Sequence, residues 1–380
     1  MQYPANLWKA LLDASVSSAA VGAAGGSPPL SPSDRATLLD DYLTISESTQ
    51  FAAAGVSMTA LGLDRLAALL AVERAYEPLI VALSHLNLVA SLLIPDIPLS
   101  SAAAPFSATP FTNDAFSQGC YANFTAFGAR ALAPALSYLT WSPIAAETPL
   151  LTQLRASLLA TAGALGDAGT IATARAFWAN FTQKGTPIPV DLAALVACNV
   201  VRWGGGVEYS AVQQLYLTAT DAASKRRYLS ALSCSRDRAL LDSLLNLMQD
   251  TSASPNIIGV GDKAGVVAGV AGNAWGRSLA WARLAPSGAP GTAAWAQLMA
   301  WFPGGGGFDV SSLVSSLVGN FLTQEYATRA TEVFGPGGSA RGTMSGAARD
   351  FAAAVESVGR GVLWGAAEKA PLCAWLAAQQ

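Results

Sequence analysis

Apolar residues recur at helical spacing along almost the whole sequence, and segments of alternating β-branched residues are scarce. One stripe runs over 212–219 and another over 240–248. Because residues three and four positions apart lie on one face of an α-helix, each stripe predicts an amphipathic helix. Short breakers, such as 204–206 and 233–236, separate the stripes, so consecutive helices have to run antiparallel. We therefore predict an all-α fold, an irregular α-solenoid of antiparallel helix pairs similar to a HEAT or armadillo superhelix.

The helical pattern predicts a single domain over residues 1–380. A Pro/Ser/Ala-rich segment near 95–112 interrupts the pattern, and a second loose segment covers 286–292. Helical patterning resumes on both sides of the first segment, so we interpret it as a long loop within the domain rather than a linker between domains.

Helix-start signals agree with the stripes. Residues 31–34 read Ser-Pro-Ser-Asp, which places a capping serine, a proline at the first helical position and an acid in the first turn. Ser235 and Asp237 provide the same signal for a helix that runs to about Met248.

Composition and charge exclude several classes of protein. Hydrophobic residues make up 52% of the chain and charged residues 12%, so the chain is too apolar to remain disordered. The net charge is −3, and no Lys/Arg run is longer than 225–227. Nucleic acid is therefore excluded as a partner.

The most apolar segment, residues 81–94, is short and contains Ser84, His85 and Asn87. It predicts a buried helix rather than a membrane span. The N-terminus lacks the pattern of a secretory signal, so we interpret Met1 as the start of a fragment.

Three segments of the second half have an informative order and spacing. They read CNVVRWGGGVEY at 198–209, ALSCSRDRALL at 231–241 and AGVAGNAWGRSLAW at 268–281. This order resembles the C-terminal helical domain of the aminopeptidase N family of zinc peptidases. Shorter matches, such as Asp34-Arg35-Ala36 and Tyr76-Glu77-Pro78, extend the resemblance over nearly the whole chain.

The resemblance implies a role without catalysis. The chain would be the C-terminal cap of an aminopeptidase N-type zinc metallo-aminopeptidase, enclosing the catalytic chamber and contacting the peptide substrate. Its partners would be that peptide and the catalytic domain of the same parent protein. Zinc is expected in the catalytic domain, and no cofactor is expected in this chain. The alternative is a free-standing helical-repeat scaffold that binds peptides or proteins and has lost the peptidase domain.

The residues required for zinc peptidase chemistry are missing from the sequence. A His-Glu-x-x-His helix supplies two imidazole ligands and a general base, whereas this chain has one histidine, His85, which we interpret as a core or helix-face residue. A G-x-G-x-x-A stretch at 259–264 raises a third hypothesis, a nucleotide-binding enzyme. That site requires a strand before the glycines and a parallel βαβ unit, so we favour a glycine-rich approach to a helix.

The four cysteines lie far apart and form no Cys-x-x-Cys pair, so they do not predict a zinc site. The resemblance implies a disulfide between Cys198 and Cys234, because secreted and membrane-tethered family members bridge these positions. The alternative is two buried free thiols in a reducing compartment. Cys120 and Cys373 are expected to be free.

Two Asn-x-Thr sequons, at Asn123 and Asn180, are candidate glycosylation sites. Together with the implied disulfide they favour a secretory-pathway, lumenal or extracellular location.

Three arginines are candidate peptide contacts, since a guanidinium can hold a peptide carboxylate by two parallel hydrogen bonds. They are Arg202, Arg277 and Arg283. The alternative for each is a helix-terminal or solvated arginine. The neighbouring aromatic residues lie at helical spacing and are expected in the core. They are Trp203, Tyr209, Tyr216, Trp275 and Trp281.

Overall fold

The computed structural model describes residues 5–47, 57–94, 96, 119–144, 147–250, 257–284, 315–337 and 348–379. Within these ranges the chain forms sixteen α-helices of eight or more residues and no β-strand, so the predicted all-α fold is confirmed. The helices are α1 (Ala5–Ala23), α2 (Pro32–Glu47), α3 (Met58–Val72), α4 (Tyr76–Leu93), α5 (Cys120–Tyr138), α6 (Pro149–Ala164), α7 (Ala168–Lys184), α8 (Val190–Trp203), α9 (Gly206–Thr218), α10 (Ala222–Leu232), α11 (Arg238–Gln249), α12 (Val260–Gly272), α13 (Arg277–Leu284), α14 (Gln324–Phe334), α15 (Ala348–Ala367) and α16 (Lys369–Ala378). Most of the predicted loop at 95–112, and the segment at 286–292, lie outside the described residues.

Several helices begin at polar side-chain caps. The Ser31 hydroxyl accepts a hydrogen bond from the Asp34 amide, and the Asp34 carboxylate accepts one from the Ser31 amide, as the sequence predicted for α2. Asp237 caps α11 by accepting from the Ala239 amide. These side chains satisfy amides that would otherwise lack partners at the helix start.

Consecutive helices pack against each other across short turns, for example α7 with α8, and α9 with α10. The helices from α6 to α15 share one apolar core. A second core joins α1 to α6 with the C-terminal helices, which contribute Trp364, Leu372 and Leu376. The end of the described chain therefore packs against its beginning.

Buried polar contacts hold the C-terminal helices against the N-terminal part of the described chain. Glu368 accepts hydrogen bonds from the Ser57 hydroxyl at 2.7 Å and the Thr59 amide at 3.1 Å, and it is 1% exposed. The Trp364 indole donates to the Thr59 hydroxyl. Each group finds a partner inside the core, which avoids the cost of an unsatisfied buried polar atom.

The structure contains two disulfides. One, the cavity disulfide, joins Cys198 to Cys234 with an S–S distance of 2.04 Å and is named for a cavity that Cys234 lines. It is the pair that the resemblance implied. The terminal disulfide joins Cys120 to Cys373, so the expectation of two free thiols was wrong. These two cysteines are 253 residues apart, and only the packing of α16 against α5 brings their Cα atoms to 5.0 Å.

Helix α4 forms over the segment expected to be buried. Leu79, Leu83 and Leu86 lie in the core, where α4 packs against α2 and α6. His85 is also buried, and its Nε2 lies 2.9 Å from Asp40 Oδ1. Among the helices described, α4 alone is long and apolar enough to cross a membrane, a judgement from length and composition only.

Candidate functional site

The three signature segments meet at the ends of α8, α10 and α12. The Asn273 side-chain amide donates to the backbone carbonyls of Ser233 at 2.8 Å and Ser235 at 2.6 Å, and its Oδ1 accepts from the Trp275 amide. A Cβ added to Gly269 would lie 2.6 Å from the Ser233 hydroxyl, so α12 approaches this turn closely. The Asn-x-x-Gly segment is therefore a clamp between two helix ends.

The Gly-Gly turn of the first segment ends α8. A Cβ at Gly204 would lie 2.3 Å from the Val200 carbonyl oxygen, which requires glycine at that position. Glu208 accepts a hydrogen bond from the Gly205 amide at 2.9 Å and starts α9. The cavity disulfide then ties α8 to the turn after α10.

Alternate helices point their C-terminal ends toward one cavity of about 330 Å³. The last turns of α4, α6, α8, α10 and α12 contribute to its wall. This common direction fits the antiparallel pairing of successive helices. Residues that line it include Asn87, Tyr121, Arg202, Ser233, Arg236 and Trp275, and none of the lining residues in the described chain is acidic.

Two arginines give this cavity its charge. The Arg236 guanidinium stacks on Trp203 at 4.4 Å and on Trp275 at 4.8 Å, measured to the ring centroids. Arg202 lies on the same wall, partly exposed. Burial lowers the pKa of Arg202; Tyr121 opposes this change, and the like charge of Arg236 adds to it to a smaller extent. Guanidinium pKa values lie so far above neutrality that both side chains remain cations at pH 7.

The structure gives the three candidate arginines different roles. Arg277 is 2% exposed, pairs with Asp96 at 2.8 Å, and donates to backbone carbonyls of Ser91 and Asn320. Arg283 pairs with Asp242 at 2.7 Å. Of the three, Arg202 is the one that lines the cavity.

Arg236 was missed by the sequence reasoning, although it lies two residues after Cys234 inside the second signature segment. The available signal was its position. A basic residue beside an implied disulfide, in a turn that meets two tryptophan-bearing segments, has aromatic faces within reach. Tyr121, which lies at the start of α5, had no comparable signal.

The aromatic residues expected in the core are largely there. Tyr209, Tyr216, Trp275 and Trp281 are buried, whereas Trp203 is partly exposed beside the cavity and donates its indole N–H to the Gly163 carbonyl at 2.7 Å.

The other candidate sites are placed as follows. Asn180 is exposed on α7, and Asn123 is half-buried in α5. Residues 259–264 cap and begin α12, and no strand precedes them in the described part of the chain, so the nucleotide-binding hypothesis has no support. No group of three His, Cys, Asp or Glu side chains is placed to hold a metal ion among the residues described.

Comparison with known proteins gives a consistent result. Residues 1–360 match the family described as "ERAP1-like C-terminal domain". The chain is similar to aminopeptidase N of Rattus norvegicus, with 25% identity over 198 residues, which is 52% of this chain and 19% of the rat protein. It is also similar to glutamyl aminopeptidase of Mus musculus, with 27% identity over 149 residues, 39% of this chain and 15% of the mouse protein. The matched parts thus span about a fifth or less of these relatives.

Proposed function

The chain belongs to the ERAP1-like C-terminal domain family, and from this membership we propose that it is the non-catalytic cap of an aminopeptidase N-type zinc metallopeptidase. The match over residues 1–360 is the observation that carries the proposal. In this role the domain encloses a catalytic chamber supplied by another domain of the same parent protein, and it contacts the peptide held there.

We propose that the zinc chemistry belongs entirely to that other domain. Hydrolysis by a zinc peptidase requires three protein ligands on the metal and a general base for its water. The single imidazole of this chain, His85, lies buried 2.9 Å from Asp40, and all four cysteines are in disulfides. These side chains do not fit a catalytic zinc site, so no step of the reaction is assigned to this chain.

The arginine-lined cavity supports the proposed contact with peptide. Arg202 and Arg236 present guanidinium groups in a concavity large enough for a side chain or a chain end. Arg277 and Arg283 are left out of the proposed contact, because their guanidinium groups pair with Asp96 and Asp242.

A cap that limits access to a chamber has to hold its shape. The terminal disulfide, together with the buried pairs Arg35–Glu73 and Arg277–Asp96, ties sequence-distant segments together. Disulfides persist in oxidising compartments, and Asn180 is exposed as a glycosylation acceptor must be. Both features support a secretory-pathway or extracellular location.

The test of the non-catalytic role is an assay of the purified chain with added zinc, using aminoacyl-fluorophore substrates of several side-chain classes. The expected result is no turnover above buffer, with or without zinc. Turnover that a chelator abolishes and zinc restores, in a preparation shown by mass spectrometry to contain no host peptidase, would refute the proposal.

A further inference from the structure

The two Asn-x-Thr sequons lie on helices whose surroundings differ. Asn180 lies near the end of α7, and Asn123 lies in the first turn of α5. An N-linked oligosaccharide is bulky and hydrophilic, so its point of attachment has to lie on the surface of the folded chain. The face that each asparagine occupies on its helix therefore decides which sequon the fold can accommodate.

Helix α7 turns Asn180 away from the core. Trp178 is buried in the core, and its ring centroid lies 5.8 Å from that of Phe181. Asn180 follows Trp178 by two residues, which places it about 200° further round the helix axis. Its side chain is exposed, and so are Ala176 and Lys184, one turn to either side. Asn180 therefore lies on the solvent face of α7.

Backbone hydrogen bonds fix the helix end that carries this sequon. Gly185 adopts a φ of +68°, and its amide donates to the Phe181 carbonyl at 3.1 Å. The Thr186 amide donates to the Asn180 carbonyl at 3.2 Å. Thr182, the hydroxyl residue of the sequon, is exposed, as are all of residues 182–187. The chain that follows α7 thus leaves the sequon uncovered.

The position of Asn180 along α7 also separates it from the cavity. Helix α7 starts at Ala168, just after Gly166, where an added Cβ would lie 3.3 Å from the Trp203 ring. Trp203 stacks with Arg236 beside the cavity. Asn180 is 12 residues after Ala168, which is about 18 Å along the helix axis. A glycan on Asn180 is therefore attached at the end of α7 remote from the cavity.

Asn123 lies on the face of α5 that α16 covers. Cys120 is three residues before it and Phe127 four residues after it, so the three side chains share one side of the helix. Cys120 is bonded to Cys373 of α16. The Phe127 ring packs on Trp375 of the same helix, with 5.2 Å between the centroids. An oligosaccharide on Asn123 would occupy the space of α16, so this modification and the terminal disulfide exclude each other.

We propose that Asn180 is a site of N-linked glycosylation and that Asn123 is unmodified in the folded protein. The co-reactant is a lipid-pyrophosphate-linked oligosaccharide. The Asn180 carboxamide nitrogen bonds to C1 of the first sugar as the C1–O bond breaks; the lipid pyrophosphate leaves with the electron pair, and the amide releases one proton. The proposal rests on the secretory-pathway location, in which disulfides persist, and does not depend on the cap role.

The experiment is expression of the 380-residue chain behind a cleavable secretion signal, in cells that glycosylate secreted proteins. Total and secreted chains are digested with peptide N-glycosidase F in heavy-oxygen water, which converts a glycosylated asparagine into a labelled aspartate. Intact mass spectrometry should show the loss of one glycan. Peptide mapping should place the label at Asn180 in both fractions, and should find none at Asn123 in chains that contain the Cys120–Cys373 cross-link.

Three variants locate the modification. Asn180→Gln should remove the glycan, and so should Thr182→Val, which keeps the asparagine and removes only the sequon hydroxyl. Asn123→Gln is the matched control and should leave the glycan mass unchanged. The proposal is overturned if neither fraction of the native chain carries a glycan, if Asn180→Gln keeps the whole glycan mass, or if Asn123 is labelled in cross-linked chains. None of these outcomes alters the hydrolysis test of the cap function.

Discussion

Replacing Glu73 with glutamine is expected to destabilise the protein by about 3–5 kcal/mol, the range for breaking one side of a buried ion pair. Glu73 accepts hydrogen bonds from Arg35 Nε at 2.7 Å and Nη2 at 3.0 Å, and from the amides of Arg74 and Ala75, both at 2.9 Å. Both side chains of the ion pair are 3% exposed. Glutamine would leave the Arg35 cation buried without a counter-ion and would turn an amide N–H₂ toward other donors.

The assay is urea unfolding followed by circular dichroism, with Glu332→Gln as the matched control. Glu332 pairs with Arg329 at 2.8 Å, but its side chain is 55% exposed, so the same substitution there should cost less than about 1 kcal/mol. The double variant Arg35→Met with Glu73→Leu should recover much of the loss, because it removes the unpaired charge. The reasoning is refuted if Glu73→Gln and Glu332→Gln have the same free energy of unfolding, or if the double variant is less stable than Glu73→Gln alone.

Three further predictions concern cross-links, packing and pH. Replacing both cysteines of the terminal disulfide with serine should lower the free energy of unfolding by about 5 kcal/mol in the loop-entropy model, against about 4 kcal/mol for the cavity disulfide. The difference arises because the terminal disulfide closes a loop of 253 residues and the cavity disulfide one of 36. Urea unfolding under non-reducing conditions that gives the reverse order would contradict this prediction. Gly269→Ala should destabilise the folded protein by about 1–3 kcal/mol, because the new Cβ would collide with Ser233. Gly265→Ala on the same helix meets open space, so it should leave thermal stability unchanged or raise it. Equal effects of the two substitutions in thermal unfolding would contradict the close contact between α12 and the Ser233 turn. Burial raises the pKa of Tyr209 to about 12, above its ordinary value of 10, so between these pH values the folded state keeps a proton that the unfolded chain loses. The free energy of unfolding should therefore fall as the pH rises from 10 to 12. Tyr209→Phe should reduce that fall, as measured by unfolding at pH 9 and pH 11.5.

Local features of the fold could be predicted from the sequence, because they depend on neighbouring residues. The cap at Ser31 and Asp34 forms as its spacing indicated, and the apolar stripe at 240–248 lies in α11. The pairing of Cys198 with Cys234 came from the resemblance and not from the spacing itself.

Contacts between distant segments could not be predicted. The partner of Cys120 is 253 residues away, and nothing near either cysteine identifies the other. Arg277 had the residue type of a ligand contact, but its role depends on Asp96, which the fold brings to 2.8 Å. Arg202 could be proposed as a candidate from the sequence. The cavity that it lines could not be predicted, because it is formed by five separate helix ends.

The most direct test of the cap function is to sequence the transcript that encodes this chain upstream of the codon for Met1. The account predicts an open reading frame that encodes a His-Glu-x-x-His helix with a glutamate downstream of it, the residues that a catalytic zinc site requires. An in-frame stop codon shortly before Met1, with no such motif in the same reading frame, would contradict the account and identify a free-standing helical scaffold.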